Sequence, residues 1–282
     1  MAASDHNHIA ERRREYEKMK RTVFGVPYLG SKNTIAKDII AALPAGKRLV
    51  DLFAGGCAIT HCAMDSGKWE KVLNNDLYPL RGQTLFKKAA AGEYLNDDYC
   101  RIVGHDEFKQ KRYVEPHMTA IWGWNFTSFY IGRPFERFCQ ENGITDIRQL
   151  EGMKGIDPHY RLPLSYLKRL RNLAGLDLSK VEFAQMDYAE FRHEEGDVVY
   201  CDPPYKNTDH RYGMRFDTDR FWEWARTRDY PVYVSEYVAP PEFSVVWSRS
   251  KGTLTSPDDP KIGRKGIATR TENIYLLEKW LR

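Results

Sequence analysis

Short apolar runs that break into glycine, proline or acid recur along this chain, separated by segments with helix-like patterning. "KRLVDLFAGG" predicts a strand from Arg48 to Phe53 that opens into a turn at Gly55 and Gly56. "CAITHCAMDSG" has helix character and stops at Gly67, and "KVLNNDL" predicts a second short strand ending near Asp76. "QTLFKKAAAGEYL" predicts a helix. Between about residues 100 and 180 the rhythm is lost: helix-like pieces such as "LSYLKRLRNLAGL" remain, without clear buried strands. Strands return in "KVEFAQMDYAEF" and "GDVVYCDPPY". "DTDRFWEWARTR" supplies an N-capping Asp and a helix, and "YPVYVSEY" and "TENIYLLEKW" complete the strands. Alternating strands and helices predict a parallel α/β sheet interrupted by a helical insertion. The expected division is a tail over 1–22, a sheet domain over 23–100 and 180–282, and a helical subdomain over 101–179.

Composition narrows the class only slightly. With 282 residues, 42% apolar and 29% charged, the chain is expected to be a soluble globular protein. No apolar run approaches the length of a membrane span. The N-terminal "MAASDHNHIAERRREYEKMKR" is basic but lacks the apolar core of a secretory signal, so a solvated helix or frayed tail is expected there. Five cysteines without a CxxC pair suggest reduced thiols in a cytoplasmic protein. "CAITHC" brings Cys57, His61 and Cys62 together, yet no second ligand cluster stands elsewhere; these read as small buried residues on a helix, and no metal is expected. Residues 101–180 carry 13 Lys+Arg against 9 Asp+Glu, an excess equal to the net charge of +4, and include the aromatic stretch "IWGWNFTSFYIGRPFERF".

The chemistry lies at the predicted strand ends, where open parallel sheets bind ligands. The glycines after Asp51 let a ligand approach the backbone. Asp76, about 20 residues beyond that turn, suits the two hydroxyls of a ribose. A third strand end carries Asp187 and Tyr188, and a fourth carries Asp202-Pro203-Pro204-Tyr205. Neither a full GxGxxG nor a GxxxxGK[ST] is present, which disfavours an ordinary NAD or ATP site. The fourth strand end matches the needs of an exocyclic amine on a planar ring. Such a nitrogen has its lone pair delocalised, and acceptors at Asp202 and at the Pro203 carbonyl would hold its two N–H groups as it turns tetrahedral. Proline fixes the carbonyl's direction, and Tyr205 offers a face for the ring.

"DPPY" at 202–205, "DLFAGG" at 51–56, "NNDL" at 74–77 and "PYLGSK" at 27–32 together resemble the Dam-type DNA adenine methyltransferases, bacteriophage members included. Their order is that of the alpha group, and the likeness extends over most of residues 24–280, with "VSEY" at 234–237 and "RTENIYL" at 270–276 as late strands. The resemblance implies a Rossmann-like S-adenosylmethionine-dependent methyltransferase sheet with a helical target-recognition insertion. It implies methyl transfer from S-adenosylmethionine to adenine N6 in double-stranded DNA, by a monomer. Tyr28 and Lys32 would touch the methionyl end of the cofactor, and Asp51 to Gly56, Phe53 and Gly55 included, would line it. Asp76 would hold the ribose, Asp187 and Tyr188 would lie at the adenine ring, and Asp202 to Tyr205 would be catalytic, with Asp202 also at the cofactor. Cys57 departs from the pattern: many relatives have a third glycine there, and its side chain would narrow the methionine pocket.

A target base inside a duplex is out of reach, so the enzyme must flip it out or take single strands. The loop after Tyr205 reads equally as an ordinary surface loop or as a flap over the target base, with Lys206, Asn207 and Tyr212 as candidate contacts. The polar loop 251–266, with Lys261, Arg264 and Lys265, reads first as a solvated face and otherwise as a grip on phosphates. Arg133, Arg137, Arg169 and Arg171 are candidates for reading guanine edges, although Lys168, Arg169 and Arg171 equally suit a water-facing helix side. Trp122, Trp124 and Phe126 read first as subdomain core. The alternatives are a methyltransferase acting on RNA or protein glutamine, and a catalytically silent DNA-binding relative.

Overall fold

The computed structural model describes residues 23–205, 216–254 and 267–281. The N-terminal tail and the candidate contacts Lys206, Asn207, Tyr212, Lys261, Arg264 and Lys265 lie outside the described residues. In chain order the principal elements are α1 (Ala36–Ala42), β1 (Arg48–Asp51), α2 (Ala58–Ser66), β2 (Lys71–Asn75), α3 (Leu85–Ala90), α4 (His105–Lys111), α5 (Arg133–Glu141), α6 (Leu162–Arg171), β3 (Val181–Ala184), β4 (Asp197–Cys201), α7 (Thr218–Arg226), β5 (Val232–Glu236), β6 (Phe243–Leu254) and β7 (Ile267–Leu277).

Seven strands form one sheet in the order β3-β2-β1-β4-β5-β7-β6. The first five are parallel, and β7 runs antiparallel between β5 and β6. This is a Rossmann-like α/β sheet: the order reverses between β1 and β4, which opens a crevice at their carboxyl ends. The central strands are apolar on both sides because both faces are covered. Val50, Val199 and Cys201 pack into the core on one face, with Phe221 and Trp224 of α7. Leu49, Val198 and Tyr200 pack into the core on the other, with Ile39 of α1 and Ile59 of α2. Each such fully buried aliphatic or aromatic side chain stabilises the fold by about 1.5–3 kcal/mol. At the opposite edge, Arg48 makes a two-pronged pair with Asp197, both contacts at 2.8 Å, which fixes β1 against β4.

The elements agree with the sequence pattern, with corrections. β1 ends at Asp51, two residues short of Phe53. The strand around Phe183 ends at Ala184; Asp187 instead caps a short helical turn by accepting the Ala189 N–H at 2.9 Å. The predicted helix over "QTLFKKAAAGEYL" is divided: a π turn over Leu80–Thr84, α3, then a 3₁₀ turn over Glu93–Leu95, the last entered through Gly92 at φ +81°. Lys251–Leu254, expected in a polar loop, belong to the backbone ladder of β6, whose pairing with β7 is interrupted by a bulge between Val245 and Trp247.

The middle of the chain is helical, as its lost rhythm predicts. Its core gathers Phe108, Trp122, Phe135 and Leu167, and draws in Leu85, Phe86 and Tyr94 from before residue 101. Trp122 is thus core, whereas Trp124 is 43% exposed. All five cysteines are buried thiols.

Candidate active site

Register brings the motifs to one edge. Asp51 stands beside Asn74 of β2 and Tyr200 of β4, and Cys201 stands beside Val234 of β5. The residues that follow, Leu52 to Gly56, Asp76, Asp202 to Tyr205 and Ser235-Glu236, therefore leave the sheet together at its carboxyl edge. The antiparallel β7 enters from that same edge, and its Glu272 precedes the Asn273 that pairs with Glu236.

The glycine turn is tightly built. Gly55 is left-handed at φ +45°, and its N–H donates to Asp76 Oδ2 at 2.8 Å. The Tyr78 N–H donates to Asp76 Oδ1 at 2.8 Å. Gly82, in the π turn, comes so close that a Cβ there would stand 1.7 Å from the Gly55 carbonyl oxygen. Cys57 is left-handed as well, at φ +58°, which a glycine would accept more readily. Its side chain is fully buried in the core with Val26, Leu85 and Phe86. His61, of the same "CAITHC" stretch, accepts the Gly25 N–H at 3.1 Å, and burial pulls it down to about 4.

Buried amides and a hydroxyl hold the strand ends in place. Asn75 donates to the Leu52 carbonyl at 3.0 Å and the Met186 carbonyl at 3.1 Å, and accepts the Met186 N–H. Gln83 donates to the carbonyls of Asn74 and Ala184. Asn74 donates to Thr60, whose hydroxyl donates to Asp51 Oδ2 at 2.8 Å. In "NNDL" only the aspartate was expected at the site; the two asparagines stitch the sheet. Tyr188 lies 6% exposed in an aromatic cluster with Phe53, Phe216, Phe221 and Trp224, and Arg220 covers its ring while pairing with Asp187.

One short segment touches both halves of the site. Tyr28 lies across the glycine turn: a Cβ on Gly56 would come within 2.5 Å of the Tyr28 Cβ, and one on Gly55 within 3.0 Å of its ring. Four residues on, the Lys32 ammonium donates to Asp202 Oδ1 at 2.7 Å and to the Tyr205 hydroxyl at 2.6 Å, with Glu272 Oε1 at 3.7 Å. The Tyr205 hydroxyl in turn donates to Glu272 Oε1, which also accepts the Ser235 hydroxyl at 2.8 Å. Pro203 is buried, and the Tyr205 ring meets Tyr237 edge-on at 4.7 Å. Glu272 and Ser235 had no place among the expected site residues: beside Thr271 and Asn273 on β7 and Glu236 on β5, nothing local sets them apart.

This edge is strongly acidic. Burial pushes Asp51 up to about 7 and Glu236 up to about 8, with Asp202 adding repulsion in both. Burial likewise raises Asp76 and, against the pull of Lys32, Asp202. Burial alone would lower Lys32, but Asp202 and Glu272 outweigh it and keep the ammonium charged.

The arginines divide. Arg133 and Arg137 are exposed on one face of α5. Arg169 is not available for base edges: it donates to the carbonyls of Phe24 at 2.8 Å and Gly25 at 3.2 Å, and burial lowers it to about 10. Arg171 donates to the Tyr94 carbonyl at 2.8 Å, and Lys168 pairs with Glu151. Both arginines were candidates for reading DNA; α6 instead directs them to the carbonyl of Tyr94 and to those of Phe24 and Gly25, in the segment leading to Tyr28.

Comparison with known proteins bears on this edge directly. A family model described as D12 class N6 adenine-specific DNA methyltransferase matches residues 28–90. That span holds Tyr28, Lys32, Asp51 to Gly56 and Asp76, and ends before Asp202. The retron Ec67 DNA adenine methylase of Escherichia coli is 28% identical over 214 residues, 70% of this chain and 67% of that protein. The DNA N-6-adenine-methyltransferase of Escherichia phage P1 is 25% identical over 199 residues, 66% of this chain but 24% of that longer protein. Among solved structures, a Pyrococcus horikoshii protein assigned as an RNA methyltransferase aligns loosely, with a TM-score of 0.36 and 13% identity over 88% of this chain and 84% of that one. Residues 28–90 thus carry the pattern of the D12 class of N6 adenine-specific DNA methyltransferases.

Proposed function

We propose that this chain methylates the exocyclic N6 of adenine in double-stranded DNA, taking the methyl group from S-adenosylmethionine and receiving the base flipped from the duplex. The observation that carries the reading is the reach of residues 28–32, with Tyr28 on the glycine turn and Lys32 on both Asp202 and Tyr205. Cofactor turn and catalytic corner are thereby neighbours.

The residues fit the cofactor. Each Asp76 oxygen accepts one backbone N–H, and a carboxylate oxygen has a second lone pair for a ribose hydroxyl. The buried acids at this edge favour a cation, which suits a sulfonium. Tyr28, the turn from Asp51 to Gly56, and Asp187 with Tyr188 complete the holding set. When bound, S-adenosylmethionine supplies an electrophilic methyl group. Lys32 occupies Asp202 Oδ1, so the second oxygen accepts one N–H of the amine and the Pro203 carbonyl accepts the other. The Tyr205 ring stacks on the base and offsets part of the few kcal/mol that flipping costs. The N–H becomes acidic only as the new N–C bond forms, so no strong base is required.

The helical middle segment reads the target in this proposal, with Arg133 and Arg137 on its exposed face. The protein acts as a monomer in the bacterial cytoplasm. Incubation with tritiated S-adenosylmethionine and mixed-sequence DNA tests the reading, and label on adenine N6 is the expected outcome. Label on cytosine revises the base, and label only on RNA or a glutamine peptide revises the acceptor. Cofactor binding without transfer to any acceptor leaves a silent DNA-binding relative.

A further inference from the structure

We propose that Glu272 is a positioning residue for methyl transfer, fixing the Tyr205 ring against which the target base stacks. The inference rests on the reading of the site given above and goes further in one respect: it assigns the tyrosine's hydroxyl. A phenol has one proton, and here it is directed to Glu272 Oε1, while its oxygen accepts from the Lys32 ammonium. The hydroxyl is thus committed on both sides, and Tyr205 contributes its face rather than a proton.

Glu272 is built for this. It is fully buried, so its carboxylate cannot exchange protein partners for water without cost. Ser235 of β5 donates to the same Oε1 atom, which fixes the carboxylate against the neighbouring strand. Lys32 lies 3.7 Å from that oxygen and balances its charge. Tyr205 lies four residues past the end of β4, and its hydroxyl is anchored to the sheet by β7, which enters the site edge where the parallel strands leave it. The ring's second support is the edge of Tyr237.

The test is a double-mutant cycle on the full chain, using Tyr205→Phe with Glu272→Asp, and Glu272→Gln as the conservative rescue. Glu272→Asp keeps the charge beside Lys32 but withdraws the acceptor by one methylene. It should lower kcat for DNA methylation about tenfold while changing KM for S-adenosylmethionine less than threefold. Glu272→Gln keeps an oxygen in place and should stay within threefold of wild type. In the Tyr205→Phe background, Glu272→Asp should cost little more. Additive losses, or a wild-type kcat for Glu272→Asp, overturn the proposal. The same variants compared by urea midpoints read the tether without activity, and non-additive midpoints are expected. Should the wild type methylate no DNA, the reading of the site fails on that result alone, and additive midpoints would separately overturn the tether.

Discussion

The Lys32 ammonium donates to Asp202 Oδ1 at 2.7 Å, joining residues 170 positions apart in the chain. Lys32 is 4% exposed and stands among Asp202, Glu236 and Glu272. Removing it leaves buried carboxylates without their cation, which costs about 3–5 kcal/mol. Lys32→Met should therefore lower stability by that order at pH 8 and by clearly less at pH 5.5, where the carboxylates take up protons instead. Urea unfolding at the two pH values checks this, and an equal loss at both would contradict it.

Gly82 is the least forgiving position beside the glycine turn. A Cβ there would overlap the Gly55 carbonyl oxygen at 1.7 Å, backbone against backbone, so no side chain can rotate away. Gly82→Ala must push the turn aside and disturb the bond from Gly55 to Asp76. A loss of about 1–3 kcal/mol in stability is expected. Weaker S-adenosylmethionine binding by calorimetry should accompany it, because the moved residues are those proposed to hold the ribose and methionyl group.

The acids also set a pH dependence. Asp51 and Glu236 have folded values of about 7 and about 8, raised from 3.8 and 4.5. A raised carboxyl value means that the folded state holds the proton more tightly, so the stability it brings is present at low pH and lost as pH rises through 7 and 8. His61 and His117 act oppositely: burial lowers both to about 4, and their contribution is lost as pH falls from 6.5 to 4. The effects compete below pH 6.5 and only the acids operate above it. The cofactor-free protein should lose stability between pH 6.5 and 8.5, with a slope of up to about 1.4 kcal/mol per pH unit for each acid. Asp51→Asn, which keeps an acceptor for Thr60, should flatten that slope in pH-dependent urea titrations.

The fold and the convergence of half of the candidate site were legible because strand ends in a parallel sheet announce themselves: Asp51 before glycines, Asp76 after two asparagines, Asp202 before prolines. These signals are local, and register carries them to one edge. What could not be read was pairing across distance. Glu272 is one acid among strand residues until β7 is known to run antiparallel beside β5. Arg169 and Arg171 looked like a basic helix face, since carbonyl partners at Phe24, Gly25 and Tyr94 leave no mark in sequence. The split of the predicted helix near Gly82 is likewise set by the tertiary approach of Gly55, not by local propensity.

That division among the arginines yields the last prediction. Arg133 and Arg137 project from α5 into solvent and are proposed to face DNA, whereas Arg169 is spent on two backbone carbonyls. A side chain that neutralises a phosphate releases counterions, so losing it reduces the salt dependence of binding by about one unit in the log–log slope. Arg133→Gln and Arg137→Gln should each weaken DNA binding at low salt and reduce that slope, with unfolding unchanged. Loss of binding at one sequence alone would assign them to base edges instead. Arg169→Gln should do the reverse: it leaves the Phe24 and Gly25 carbonyls without their donor and destabilises the fold by about 1–3 kcal/mol, with the salt slope intact. Fluorescence anisotropy with a labelled duplex between 50 and about 200 mM salt separates the two classes. A reduced slope for Arg169→Gln would place α6, rather than α5, against the DNA.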